Sequence, residues 1–145
     1  MELSKRIIKE LKPFSSKIQV AGSIRRKQKN PRDIDIVLIP KDKLKIKKFL
    51  ETKGKFLQGG EQRVRFRIQG VKVELYYTTP EEWGATLLAY SSRKGAGIGL
   101  RIIARLKGFK LSQHGLFKGN KLIASRTEKD IYSALGRPYK EPEKR

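Results

Sequence analysis

Two stretches decide how the rest of the chain is read. They are Gly22-Ser23-Ile24-Arg25-Arg26 and, shortly after, Arg32-Asp33-Ile34-Asp35-Ile36-Val37-Leu38-Ile39-Pro40. The second is rich in β-branched residues and reads as a strand over 32–40. Alternate residues of a strand share a face. Asp33 and Asp35 therefore project together, while Ile34, Ile36 and Leu38 point to the other side. Two carboxylates side by side repel each other. Either Lys and Arg neutralise them or a divalent cation does, because hard oxygen ligands suit such an ion. The preceding Gly-Ser turn and Arg pair add a phosphate-binding character: Gly lets a phosphate approach the backbone closely, and Ser and Arg donate to it.

A third carboxylate comes from a hairpin further along. Residues 63–68 (RVRFRI) and 71–77 (VKVELYY) alternate with period two, and Gln69-Gly70 is a two-residue turn between them. Lys72, Glu74 and Tyr76 share one face of the second arm. If this arm lies beside the Asp strand, Glu74 joins Asp33 and Asp35. Three carboxylates with phosphate donors nearby make a two-metal phosphoryl-transfer site. The alternative is purely structural. A two-residue turn sets Arg65 opposite Glu74, and the two side chains then simply pair across the hairpin.

The remaining chain is expected to be helix over 2–12, short strand over 17–20 and Lys-rich helix over 41–53. Thr79-Pro80-Glu81-Glu82 reads as an N-cap followed by a helix to about Tyr90. Residues 94–99 (KGAGIG) read as a glycine-rich turn before a helix near 98–107. Short strands follow over 109–124, with a turn at Gly119-Asn120. Thr127 caps a last helix that ends at Gly136.

The 145 residues include 35 Lys or Arg against 14 Asp or Glu, a formal net charge of +21, and 37% are hydrophobic. That is enough apolar content for a core, and the charge calls for a polyanionic partner, nucleic acid first. No apolar run of about 18 residues is present, so no transmembrane helix is expected. The chain has no cysteine and one histidine, His114. Disulfides, thiolate nucleophiles and Cys-ligated zinc are excluded.

At this point the sequence resembles the nucleotidyltransferases related to DNA polymerase beta, and within them the family X DNA polymerases. The resemblance is carried by Gly22-Ser23 with Arg25-Arg26, by Asp33 and Asp35, and by a carboxylate on a later strand. It continues through Ser91-Ser92, Arg101, Lys107-Gly108-Phe109-Lys110-Leu111, Gly115-Leu116-Phe117, Thr127-Glu128-Lys129-Asp130-Ile131 and the ending Pro138-Tyr139-Lys140-Glu141-Pro142. It implies an α+β fold: a nucleotidyltransferase palm over residues 1–79, a mixed sheet with helices on one side, followed by a small α/β subdomain over 80–145 that holds the nascent base pair. Only about twenty residues precede Gly22, so the N-terminal lyase domain and helical DNA-binding subdomain of the family are expected to be missing, as in reduced viral members.

The resemblance also implies roles. Asp33 and Asp35 bind two Mg²⁺ ions, for which Mn²⁺ substitutes, and Glu74 binds the catalytic one. Gly22, Ser23 and Arg26 hold the triphosphate. Tyr90, with Ser91 and Ser92 in place of a Thr-Gly turn, meets the sugar, and Arg101 touches the template. Lys72, Lys45, Lys47 and Lys48 are expected DNA contacts. The implied protein is a monomeric, intracellular or virus-encoded DNA-directed DNA polymerase that takes dNTPs and fills short gaps in repair without proofreading. A template-independent nucleotidyltransferase and a non-catalytic nucleic-acid-binding protein are the rival readings. Departures from the family pattern are Glu74 where Asp is usual, Arg32 where Gly is usual, and Ser92, Lys94 and Gly97 in the second half. Ala89 before Tyr90 is a small residue where ribonucleotide-excluding members carry a bulky one.

Overall fold

The computed structural model describes residues 2–145. The chain divides into two compact units, with the boundary between Thr78 and Thr79.

The first unit contains α1 (Glu2–Leu11), β1 (Ser15–Val20), α2 (Gly22–Arg25), β2 (Ile34–Pro40), α3 (Lys43–Glu51), β3 (Lys55–Gly59), β4 (Arg63–Ile68) and β5 (Val71–Tyr77). The five strands form one mixed sheet in the order β1-β2-β5-β4-β3. All neighbours are antiparallel except β2 and β5, which run parallel. Alternation sorts the side chains. Ile34, Ile36 and Leu38 of β2, Val64, Phe66 and Ile68 of β4, and Val73 and Leu75 of β5 are buried together with Leu3, Ile7 and Leu11 of α1 and Ile46 and Leu50 of α3. Both long helices therefore cover one face of the sheet. The other face carries Asp35, Arg63, Arg65, Arg67, Lys72, Glu74 and Tyr76, with Asp33 just before β2.

Sequence patterning placed α1, β2, α3 and the β4–β5 hairpin. The hairpin turn has Gln69 at φ 52° and Gly70 at φ 77°, the paired left-handed geometry that suits the twist of the arms. Two elements are additions. The α2 helix is one turn long, and β3 is an exposed edge strand over a stretch that follows the Lys-rich helix.

The second unit holds α4 (Trp83–Ser91), α5 (Lys94–Leu106), the antiparallel sheet β6 (Lys110–Ser112), β7 (Gly115–Lys118) and β8 (Lys121–Ala124), and α6 (Glu128–Ala134). Its core joins Ala85 and Leu88 of α4, Leu100 and Ala104 of α5, Leu116 of β7, and Ile131, Tyr132 and Leu135 around α6. Thr127 caps α6 by accepting from the Asp130 amide, 3.0 Å. The final segment is tied back by Arg145, which donates to the Glu128 carboxylate, 2.6 Å, and to the Lys140 carbonyl, 2.9 Å.

Two expectations here are corrected. Thr79 does not begin α4. It closes a separate turn, with the Glu82 amide on its hydroxyl at 3.3 Å, and the helix starts at Trp83. The first helical amides are spent elsewhere: Gly84 N–H donates to Arg126 O and Ala85 N–H to Ser125 O. That lateral docking explains Gly84, where a Cβ would overlap the Thr127 backbone. The glycine-rich segment 94–99 is helix rather than turn, forming the first half of α5. Glycine costs about 1 kcal/mol in a helix interior relative to Ala. Burial of Leu100 and Ala104 in the core outweighs it, and the Arg93 carbonyl receives the Gly97 amide at 2.9 Å.

Candidate active site

The parallel pairing of β2 and β5 sets Asp35 beside Glu74 in register. On the far side of β5, Arg65 of β4 is the antiparallel register partner of the same Glu74. One cross-strand row thus reads Asp35, Glu74, Arg65.

The two carboxylates have opposite surroundings. Glu74 is 4% exposed. Arg63 Nε donates to its Oε2 at 2.9 Å, and Arg65 Nε and Nη2 lie 3.0 and 2.8 Å from its Oε1. The Tyr76 hydroxyl donates to Oε2 at 2.8 Å, and Lys72 Nζ is 3.8 Å from Oε1. Burial pushes this carboxyl up, but the Tyr76 hydroxyl and the Arg63 and Arg65 guanidiniums more than offset it. Glu74 is held below its usual range.

Asp35 has no guanidinium on it among the described contacts. Burial drives its carboxyl up. The Tyr76 hydroxyl at 3.2 Å from Oδ1 pulls it down, and the charges of Glu74 and Asp33 raise it again. The net direction is upward. One hydroxyl proton cannot be donated fully to two carboxylates. The shorter bond goes to Glu74, which leaves Asp35 the less well satisfied of the pair. Asp33 is half-exposed, with Lys72 Nζ 3.4 Å from its Oδ2.

Gly22 opens α2 with φ 59°, and a Cβ there would overlap the Asp35 carboxylate. The Ala21 amide donates to the Asp35 carbonyl at 2.7 Å. The Gly-Ser-x-Arg-Arg stretch is therefore folded directly against Asp35. Ser23 lies within α2 and Arg26 is its C-cap, reaching Gln28 Oε1 at 3.3 Å.

Asp33 and Asp35 fit a divalent cation. They are hard oxygen donors two residues apart, and the anionic form of Asp35 is disfavoured by its neighbours in a way that a cation relieves. Glu74 is different: its oxygens face Arg63 and Arg65. Among the described residues no group of three or more Asp, Glu, His or Cys is arranged to hold a metal.

The other expected site residues fall in two places. Lys72 stands on the carboxylate face. Lys45, Lys47 and Lys48 do not; they belong to α3, on the helix side of the sheet. In the second unit, Ala89, Tyr90, Ser92, Gly97 and Arg101 line a cavity of about 240 Å³ together with Ser112 and Gln113. Ser91 is buried beside it, and the Ser92 hydroxyl donates to the Leu88 carbonyl at 2.9 Å. His114 pairs with Glu82 at 2.9 Å. Sequence reasoning missed Arg63 and the double role of Tyr76. The signal for Tyr76 was its place two residues from Glu74 on one strand face.

Comparison with known proteins completes the picture. The DNA polymerase beta thumb family model matches residues 87–145. A protein named Repair DNA polymerase X, from African swine fever virus, is 29% identical over 147 residues in one isolate and 27% in another. In both, the match covers 93% of this chain and 84% of the viral protein. DNA polymerase IV of Saccharomyces cerevisiae is 45% identical over 65 residues, 45% of this chain, of which the chain spans only 11% of the yeast protein's length. The chain is thus similar over nearly its whole length to a viral repair polymerase, and over its second unit to the DNA polymerase beta thumb. The mixed sheet with helices on one face is consistent with a polymerase beta-like nucleotidyltransferase fold. No described helix is long and apolar enough to cross a membrane.

Proposed function

We propose that this chain is a DNA-directed DNA polymerase that adds dNTPs to a primer 3′-hydroxyl and fills short gaps during repair. The observation that carries this reading is the Asp35–Glu74 register pair with Gly22 packed against Asp35. It sets two carboxylates and the glycine backbone of α2 together on one sheet face, which supports a phosphoryl-transfer site there.

In this reading Asp33 and Asp35 hold Mg²⁺, which supplies charge stabilisation to the transferring phosphoryl group. Gly22, Ser23 and Arg26 hold the β- and γ-phosphates and fix the α-phosphate for in-line attack. The primer 3′-hydroxyl loses its proton to solvent as the bond from O3′ to the α-phosphorus forms, the bond from that phosphorus to the bridging oxygen breaks, and pyrophosphate leaves. Glu74 is the third carboxylate, on the side of the primer terminus. Its depressed pKa suits a ligand better than a proton acceptor, and Arg63 and Arg65 must loosen before it can act as one. In the second unit, Tyr90 meets the sugar and Arg101 the template strand. Ala89 leaves little bulk behind Tyr90, so discrimination against rNTPs should be modest, about 10- to 200-fold.

The capture of Glu74 by two arginines favours one rival, a nucleic-acid-binding protein that keeps the fold without the chemistry. Extension of a labelled primer on gapped duplex with Mg²⁺ or Mn²⁺ separates the readings. Incorporation that follows the templating base supports the polymerase. Untemplated addition supports a tailing enzyme, and binding without extension supports the rival.

A further inference from the structure

The sheet of the first unit has two chemically different sides, and the second is also strongly cationic. The apolar positions of α1 and α3 are spent on the core, except Leu44 of α3, which is exposed. What faces solvent is lysine. On α1 and its continuation, Lys5, Lys9 and Lys12 follow at spacings of four and three, all exposed, opposite the buried Leu3, Ile7 and Leu11. On α3, Lys43, Lys45, Lys47 and Lys48 are all exposed. Residues 2–12 and 41–53 together hold ten Lys or Arg and four Asp or Glu.

Those four acids are already engaged or dispersed. Asp42 caps α3 through the Lys45 amide at 3.1 Å. Glu10 meets Lys53 at 3.8 Å, a contact that also ties the end of the α3 segment to α1. Glu2 lies 3.9 Å from Lys5. Lys43 and Lys47 lean over the rings of Tyr77 and Phe56, at 5.2 and 4.9 Å, which keeps their charges at fixed places.

We infer that this helix layer is a second nucleic-acid-binding surface, which takes the phosphate backbone of a duplex segment other than the one at the carboxylates. The inference rests on the polymerase reading only for which face does the chemistry. A bilayer is the wrong occupant, because a surface helix binds lipid through a continuous apolar face, and here both such faces are buried and only Leu44 is left exposed among the lysines. A stripe from Lys5 to Lys12 covers about 10 Å of helix, or about three phosphate steps of one DNA strand. The same segment cannot serve both sides. The helices add a layer about 10 Å thick behind the sheet. A duplex with a persistence length of about 150 base pairs resists reversing direction around so small a body.

The test uses the full chain and two duplexes of about 15 base pairs, one with a donor fluorophore and one with an acceptor, each too stiff to fold around the unit. Protein should raise energy transfer between the two duplexes at low salt. The variant K5E/K9E/K12E should lose at least about half of that transfer, since log affinity falls with each phosphate contact removed. Its extension of a single primer-template should stay within about twofold of the parent, because surface changes away from the site are nearly neutral. A parent chain that gives no transfer, or a variant that bridges as well as the parent, overturns the inference. So does a variant whose extension and duplex affinity fall in step. If bridging holds while the parent extends no primer, the polymerase reading fails and the second surface stands.

Discussion

Asp35 and Glu74 are register partners on adjacent parallel strands, and they have been given opposite electrostatic fates. Glu74 is buried and neutralised by Arg63 and Arg65, and its carboxyl is held low. Asp35 is half-buried, shares a hydroxyl that bonds better to its neighbour, and is pushed up by burial and two nearby carboxylates. A protein selected only for stability would not leave Asp35 in that state when it has 35 basic residues to draw on. The difference separates a carboxylate finished by the fold from one left for a cation. It also bears on the Asp-to-Glu departure. The longer side chain reaches Arg63 and Arg65 on β4, so the extra methylene serves the hairpin as well as the site.

The comparison breaks most easily at Asp33 and Asp35. Replacing either with Asn should lower single-nucleotide extension by about a hundredfold or more, the scale of losing one preorganised charge-stabilising group. Duplex affinity, measured by anisotropy, should change little, since the basic surface supplies it. Near-parental extension by both variants would remove the site from this face.

A second break lies on the Glu74 side. Arg65→Ala leaves a buried carboxylate short of its cation. The loss should be about 1–3 kcal/mol in urea unfolding, the cost of an undersatisfied buried polar group. Arg63→Ala should cost less, because its side chain is 52% exposed against 30% for Arg65. Equal losses would mean that the two arginines are not distinguished by burial. Glu74→Asp sharpens the same point: a carboxylate withdrawn by about 1 Å costs up to roughly a hundredfold in rate where it takes part in chemistry. A shift in Mg²⁺ against Mn²⁺ preference accompanies that loss if Glu74 is a ligand. Unchanged kinetics would leave it as the partner of Arg63 and Arg65 alone.

Much of this was legible in the sequence. The isoleucine alternation in 34–38 fixed which way the aspartates point, and Gln69-Gly70 fixed the hairpin register that sets Arg65 against Glu74. Three features were not legible, each for a physical reason. All five residues of β3 are exposed, so the strand has no inward-outward alternation to read. The α5 glycines look like a turn because propensity is local, whereas the burial of Leu100 and Ala104 that overrides it is not. The Tyr76 hydroxyl bridges two carboxylates only because β5 lies parallel to β2, a pairing that closes across more than thirty residues.

The smallest effects concern stability and pH. Asp35 carries a raised carboxyl, so its ionisation costs folding free energy above its folded pKa, and that cost fades as pH falls. Asp35→Asn should therefore raise the melting temperature at neutral pH, and the gain over the parent should shrink in acid. Glu74 has the opposite sign. Its contribution is present above the usual carboxylate range and is lost as acid brings the pH down through its depressed value. Glu74→Gln should thus lower stability at pH 7 and narrow the difference from the parent in acid. A scan of melting temperature against pH checks both.

The most direct measurement is the Mg²⁺ dependence of the melting temperature without DNA, for the parent, Asp35→Asn and Glu74→Gln. A cation that binds only the folded chain stabilises it by mass action, by about 2.7 kcal/mol at a hundred times its Kd. The parent and Glu74→Gln should show a saturable rise, and Asp35→Asn should show none. A rise that survives in Asp35→Asn and vanishes in Glu74→Gln would contradict the assignment of the open carboxylate to β2.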